Sequence, residues 1–300
     1  MSRSVLVGLV LLGLPGSAFS PEQRPDIRGL YSVTIKVSEL DKAKDFYEGD
    51  LKLPRAGECL TKQAECFMVG PFQRIEVTGN SAAPSAGMID SVAFSTKDAR
   101  ALRIYLMSRG LTPGKLISDP CGVQESFEIS DPEQHRLIFV TNNWAVSGSV
   151  RGAQISSRMI HSGFVVHDRD AEDKFYRDVL GFHVYWHGGM KEGEDNWVDM
   201  QVPDGTDWIE YMLRVAPDAT HKTLGVMNHI ALGVPDIHAA QQQLIKNGWK
   251  STEEPKIGRD GKWQLNLYDP DETRVEVMEF KPTKEPCCSA YTGPHPGPPQ

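Results

Sequence analysis

The chain contains a long internal repeat, and no other feature restricts its fold so sharply. Leu30-Tyr-Ser-Val-Thr-Ile-Lys-Val37 leads into Asp41-Lys-Ala-Lys-Asp-Phe-Tyr47 and then Leu51-Lys-Leu-Pro54. Met159-Ile-His-Ser-Gly-Phe-Val-Val166 leads into Asp170-Ala-Glu-Asp-Lys-Phe-Tyr176 and then Val179-Leu-Gly-Phe182. Later segments keep step. Phe72-Gln-Arg-Ile-Glu-Val77 answers Asp207-Trp-Ile-Glu-Tyr-Met212, and Met88–Phe94 answers Met227–Gly233. Ile129-Ser-Asp-Pro132 with Arg136-Leu-Ile-Phe139 answers Leu267-Tyr-Asp-Pro270 with Arg274-Val-Glu-Val277. The offsets run from 129 to 139 residues, so the chain reads as two tandem modules, 29–141 and 158–280, joined by a small, polar linker at 142–157.

Each module also halves. In the second, a strand, a helix and further strands fill 159–213, and the same order recurs over 227–280. Pro235–Lys246 is the helix of that second half, and Gly248 is its stop. The first module has its counterpart helix at Lys97–Ser108, stopped by Gly110. The expected fold is α+β: four βαβββ units whose curved mixed sheets each enclose a cleft on the concave face.

Composition narrows the function. With 32 Lys+Arg against 40 Asp+Glu the formal charge is −8, and no basic stripe exists, which argues against a nucleic-acid partner. The excess is uneven: residues 158–280 hold 22 acidic and 13 basic side chains, and residues 29–141 hold 15 and 13. The one long apolar run, Val5–Leu14, is ten residues, half of the roughly 20 that a membrane span needs. Arg3 before it and Gly16-Ser-Ala18 after it complete the pattern of a secretory signal, with cleavage after Ala18 and a secreted or periplasmic product. Cutting after Ser20 would leave Pro21 at the new terminus. Five cysteines follow, Cys59, Cys66, Cys121, Cys287 and Cys288, so at least one thiol stays unpaired or pairs between chains; Cys59 and Cys66 can bridge if a hairpin brings them together. Residues 281–300 carry six prolines and read as an extended, disordered tail.

Four ligand-type residues occupy matched places in the second module. His161 lies in the first strand and Glu210 in the last strand of its first half; His229 and Glu276 hold the same places in the second half, at separations of 49 and 47 residues. Two imidazoles and two carboxylates suit one divalent ion of the Fe, Mn, Ni, Co or Zn kind, with positions left for substrate. Such an ion acts as a Lewis acid toward a small substrate with two chelating oxygens, and a carboxylate beside it, Glu210 or Glu276, takes the proton. Glu210 sits between Ile209 and Tyr211, and Glu276 between Val275 and Val277. A charge in such a β-run is costly unless paired or coordinated. Alternation places Met159, Gly163 and Val165 on the face of His161, and Ile160, Ser162 and Phe164 on the other. Trp208 shares the face of Glu210, and Asn266 and Tyr268 share a face that lines the cleft. In the first module Ser32, Glu76, Asp90 and Ile138 stand at the four ligand places, so its cleft is expected to hold no metal. His183 and His187 read as surface or packing residues, and Glu192–Asp195 as a solvated loop.

Over nearly the whole of 29–280 the sequence resembles the vicinal oxygen chelate superfamily, which includes glyoxalases, extradiol ring-cleaving dioxygenases, and fosfomycin- and bleomycin-resistance proteins. The resemblance rests on the opening strand with its Phe-Tyr helix, on Asn228-His-Ile-Ala231, and on Tyr268-Asp-Pro-Asp-Glu-Thr-Arg-Val-Glu276. It implies the tandem fold but leaves the reaction open. Two modules with the ion in the second is the arrangement of extradiol dioxygenases. Those enzymes, however, use two His and one Glu, place a catalytic Tyr where Asn266 stands, and have a catalytic His that would fall near Ile257–Gly261, where there is none. The four-ligand set resembles glyoxalases and related isomerases instead, although a secretory signal sits badly with a glutathione adduct as substrate. The resemblance thus implies lyase or isomerase chemistry ahead of ring cleavage, with a non-catalytic small-molecule-binding protein as the reading from another class. The protein is expected as a monomer or homodimer. If halves were exchanged between modules of one chain the ligands would be scattered; closure of the second module on itself, or exchange between identical chains, keeps all four.

Overall fold

The computed structural model describes residues 23–79, 88–119, 124–142 and 152–299. The segment expected to be a secretory signal and Cys121 lie outside them, as does most of the linker. Among the described residues, 27–141 build one sheet of seven strands in the order β2 (Glu65–Met68), β3 (Arg74–Gly79), β1 (Ile27–Val37), β4 (Ile89–Thr96), β7 (Arg136–Thr141), β6 (Glu125–Ser130), β5 (Ile117–Ser118), and 158–279 build a second of eight in the order β13 (Lys256–Ile257), β14 (Trp263–Tyr268), β15 (Arg274–Glu279), β12 (His229–Val234), β8 (Arg158–Val165), β11 (Trp208–Met212), β10 (Trp197–Gln201), β9 (His183–Gly188).

Both sheets follow one plan. In the first, β1 (Ile27–Val37) pairs antiparallel with β4 (Ile89–Thr96), and each takes a parallel neighbour, β3 (Arg74–Gly79) and β7 (Arg136–Thr141). In the second, β8 (Arg158–Val165) and β12 (His229–Val234) form the antiparallel centre, flanked in parallel by β11 (Trp208–Met212) and β15 (Arg274–Glu279). Each sheet therefore contains both halves of its own module. These central strands are buried on both faces, which explains their nearly unbroken apolar runs. The outer strands of the second sheet are β9 (His183–Gly188), β10 (Trp197–Gln201), β13 (Lys256–Ile257) and β14 (Trp263–Tyr268).

The helices lie against the convex faces. The Phe-Tyr segments start as α1 (Leu40–Lys44) and α3 (Arg169–Asp173) and continue as π-helical turns over Asp45–Asp50 and Lys174–Val179, burying Phe46, Tyr47, Phe175 and Tyr176. Helix α2 (Ala99–Ser108) starts where the Asp98 carboxylate accepts the Ala101 amide. Helix α5 (Ile237–Asn247) starts in the same way on Asp236 and stops at Gly248, whose φ of +113° an L side chain rarely adopts. A short α4 (His221–Met227) leads into β12. One apolar core, from Ile27 to Val277, runs through both modules. Gln73 ties them by exchanging two 2.8 Å hydrogen bonds with the Met159 backbone.

Three expectations need correction. First, 281–299 is an ordered strap. Thr292 donates to Tyr185 O, Ser289 bonds the His187 backbone, Gln201 donates to Pro294 O and Arg158 to Gly297 O. Proline removes backbone donors, and here the sheet's own donors and side chains satisfy the tail. Second, a β-bulge between the His161 and Met159 pairings brings Ile160 onto the concave side with Trp208 and Phe280, while Met159 joins the convex core. Third, Thr34 pairs with Ser91 as Gly163 pairs with His229, so Ser91, not Asp90, stands at the place of His229. A slip of one residue exchanges the two faces of a strand, and Asp90 instead meets Lys36 and Arg136. Cys59 and Cys66 are joined by a disulfide, as are Cys287 and Cys288.

Candidate metal centre

Strand register brings the four ligand-type residues of the second module together. Gly163 on β8 is opposite both Glu210 on β11 and His229 on β12; Ala231 on β12 is opposite both His161 and Glu276. Small residues at these crossings leave room for the larger side chains beside them. A Cβ at Gly163 would collide with the His229 ring.

Nε2 of His161 and Nε2 of His229 are 3.0 Å apart. Oε2 of Glu210 lies 3.0 Å from His229 Nε2 and 3.5 Å from His161 Nε2; Oε2 of Glu276 lies 3.9 Å and 3.5 Å from the same two atoms. Ligands held at about 2.1 Å around one ion are separated by about 3.0 Å when adjacent in an octahedron and about 3.4 Å in a tetrahedron. His229 donates through Nδ1 to Met227 O at 2.8 Å, which fixes its tautomer and leaves Nε2 with a bare lone pair turned into the cluster. His161 Nδ1 is buried without a partner among the described residues. His161, Glu210 and His229 bring ligand atoms within 4.8 Å of one another, and Glu276 stands against both rings, so two imidazole nitrogens and two carboxylate oxygens are at hand for a borderline divalent ion.

The electrostatics agree with that chemistry. Burial, then Arg274, pushes His229 down to about 3, and burial also lowers His161, so both rings stay neutral and able to coordinate. Burial pushes Glu276 up, but Arg274 and the two imidazoles outweigh it and hold the carboxyl down at about 2. Burial raises Glu210, and Glu276 adds to the effect against the pull of His161 and Arg274. The two carboxylates thus differ, and Glu210 is also the more open, with 13% of its side chain exposed against 4% for Glu276.

A cavity of about 190 Å³ opens onto His161, Glu210 and Glu276 under walls of Trp186, Trp197 and Trp208. Trp208 stacks at a tilt on His161 with centroids 4.8 Å apart. Asn266, opposite Glu276 on β14, keeps a buried Oδ1 without a partner among the described residues, and Tyr268, opposite Arg274, is 39% exposed; both lie outside the cavity lining. A larger open cleft of about 1030 Å³, formed partly by Glu192–Asp195, touches none of the four ligands and shares only Arg259 with the smaller one. His187 pairs there with Asp195 at 2.7 Å, and His183 with Gln201 at 3.1 Å, so neither joins the centre. In the first module Ser32, Glu76, Ser91 and Ile138 hold the equivalent places, and the amides of Leu60 and Thr61 occupy the Glu76 carboxylate.

Several residues escaped the sequence reading. Asp199, buried on β10 in Trp-Val-Asp-Met, carries the same sign as Glu210, a charge inside an apolar β-run. Lys262 gave no such sign. It is fully buried, with Nζ 4.4 Å from the Trp208 ring and 5.2 Å from the rings of Tyr185 and Tyr291, the last supplied by the strap. Burial lowers its pKa and raises those of Asp199 and, to about 6, Asp260 beside it.

Comparison with known proteins places this geometry in a family. The model of the glyoxalase/bleomycin resistance protein/dioxygenase superfamily matches residues 158–277. Lactoylglutathione lyase of Haemophilus influenzae is 29% identical over 129 residues, 42% of this chain and 96% of the relative. A probable chloroplastic lactoylglutathione lyase of Arabidopsis thaliana is 27% identical over 134 residues, 44% of this chain and 38% of the relative. Among solved structures, an extradiol ring-cleaving dioxygenase from B. fuscum superposes with a TM-score of 0.66 at 19% identity, over 93% of this chain and 76% of that one. Homoprotocatechuate 2,3-dioxygenase from Arthrobacter globiformis superposes with a TM-score of 0.62 at 18% identity, over 85% and 80%. At these identities the structural likeness speaks for the fold. With the Asp-Pro corner before Glu276 and the matched residues 158–277, the second module is a domain of the glyoxalase/bleomycin resistance protein/dioxygenase superfamily, and the first shares its fold.

Proposed function

We propose that the chain is an exported enzyme that depends on one divalent metal ion, held by His161, Glu210, His229 and Glu276, and acts on a small substrate with two chelating oxygens by lyase or isomerase chemistry. The observation that carries this reading is the second carboxylate. Glu210 lies 3.0 Å from His229 Nε2, completing a set of two imidazoles and two carboxylates. The matched relatives named as lactoylglutathione lyases lend it support, and the two disulfides suit an oxidising compartment.

When bound, the ion would supply Lewis acidity toward the chelating oxygens. The rest falls to the chain. Glu276, kept ionised by Arg274, serves as a fixed ligand, and Glu210, more open and facing the cavity, takes and returns the proton. The three tryptophans exclude water and set the size of the substrate. At about 190 Å³ the cavity is below the roughly 300–1,000 Å³ of sites for drug-sized ligands, so a compact molecule fits better than a peptide adduct.

The test is a paired screen of the metal-loaded protein: α-keto thiol adducts and other small chelating carbonyl compounds without oxygen, and catechols in an oxygen electrode. Turnover without oxygen uptake, lost in Glu210→Gln, is the expected result. Oxygen uptake with catechol cleavage would contradict the lyase or isomerase reading. Metal binding without turnover of any compound would favour a binding protein.

A further inference from the structure

The two modules meet through one contact made twice. Tyr47 donates to Asp269 at 3.2 Å and Tyr176 donates to Asp131 at 2.9 Å, so each Asp-Pro aspartate accepts the Phe-Tyr tyrosine of the other module. At the first corner Asp269 is further satisfied by the amides of Asp271 and Thr273, and the neighbouring helix offers only Ala43. At the second, repeat register puts Glu172 at the place of Ala43 and His135 at the place of Thr273. Both changes introduce ligand types, and both occur at the same corner.

The ligand atoms of Asp131, His135 and Glu172 all lie within 4.8 Å of one another. His135 Nδ1 is 2.8 Å from Asp131 Oδ2, close to the edge of about 3.0 Å expected between adjacent ligands of one ion. Glu172 is fully buried. One of its oxygens accepts the Glu133 amide at 2.9 Å; the other, Oε2, has no partner among the described residues. A buried carboxylate oxygen is costly to leave unsatisfied. Burial, then the Asp131 charge, pushes the Glu172 carboxyl up to about 8, against the pull of the Glu133 amide. His135 is a quarter exposed, which gives an ion an entry path and room for water.

We propose that Asp131, His135 and Glu172 form a second divalent-cation site, separate from the centre in the second module, that takes a borderline ion of the zinc or manganese kind and clamps the two modules together. One imidazole and two carboxylates suit that class of ion. The substitutions found at the sister corner, Glu172→Ala and His135→Thr, remove the ligands with residues that the fold already accepts there.

The test is the zinc stoichiometry and thermal midpoint of the full chain after chelation and reloading. The wild type should bind two ions. His229→Ala, or Glu276→Gln should the first fold poorly, should bind one, and its thermal midpoint should still rise with added zinc. Adding Glu172→Ala or His135→Thr to either background should abolish that last ion and the rise. An ion retained after both substitutions, or no ion left in the His229→Ala and Glu276→Gln proteins, would overturn the proposal. A corner that merely shares a proton between Asp131 and Glu172 gives the latter result.

Discussion

At the scale of single residues, the centre rests on two buried imidazoles that turn their Nε2 atoms toward each other. With His229 Nδ1 committed to Met227 O, its Nε2 has only a lone pair to offer, and His161 Nε2 is 3.0 Å away. A cation bound to both nitrogens would take the place of the proton shared between them. His229→Ala is therefore expected to remove one equivalent of metal per chain, measured by elemental analysis, whereas Asp90→Ala, on the outer face of the first sheet, should remove none. Equal losses would contradict the assignment. Metal-free protein should also show a pH dependence with a definite sign. An unfolded histidine binds its proton near 6.5, and buried His229 only near 3, so the unfolded state holds more protons in between and stability falls as pH is lowered through that window. The slope from this residue is about 1.4 kcal/mol per pH unit, measurable by denaturant unfolding, and bound metal should steepen the loss. The four side chains that the second sheet brings together were legible because each is an ionisable residue in an apolar β-run, matched across the repeat. Lys262 was not, because it follows a glycine turn and the rings packed over it come from β9, β11 and a strap that arrives from distant sequence.

At the scale of elements, repeat and periodicity located the central strands and the capped helices α2 and α5, since those depend on local alternation and on aspartate caps. They failed where long-range pairing decides the outcome. The bulge at Ile160 and the one-residue register of Ser91 are set by partner strands, and proline content misled about the strap because its hydrogen-bond partners belong to the sheet. A chain ending at Phe280 is expected to be less stable by several degrees in thermal midpoint, because Tyr185 loses its packing with Tyr291 and His295. The same truncation should expose Lys262 to an amine-reactive reagent that leaves it unlabelled in the full chain, as read by peptide mass mapping. An unchanged midpoint and unchanged labelling would show that the strap does not cover this face.

At the scale of the whole molecule, the fold uses one half-module plan four times, and the way the sheets close decides which copies cooperate. Because β8 pairs with β12 within one eight-stranded sheet, the two ligand pairs of the second module meet inside a single chain, and no second chain is required. The first sheet repeats the architecture with Ser32, Ser91 and Ile138 at three of the places, and its Glu76 is bound to loop amides. The larger acidic excess of 158–280 falls in the module that holds the proposed ion. Anomalous diffraction at the metal edge, from crystals of the metal-loaded protein, decides whether one metal is bound by four strands of the second module. A strong peak is expected within about 2.3 Å of His161 Nε2, His229 Nε2, Glu210 and Glu276. A well-ordered second module with no peak among those four side chains, in crystals grown from metal-replete protein, would contradict that expectation.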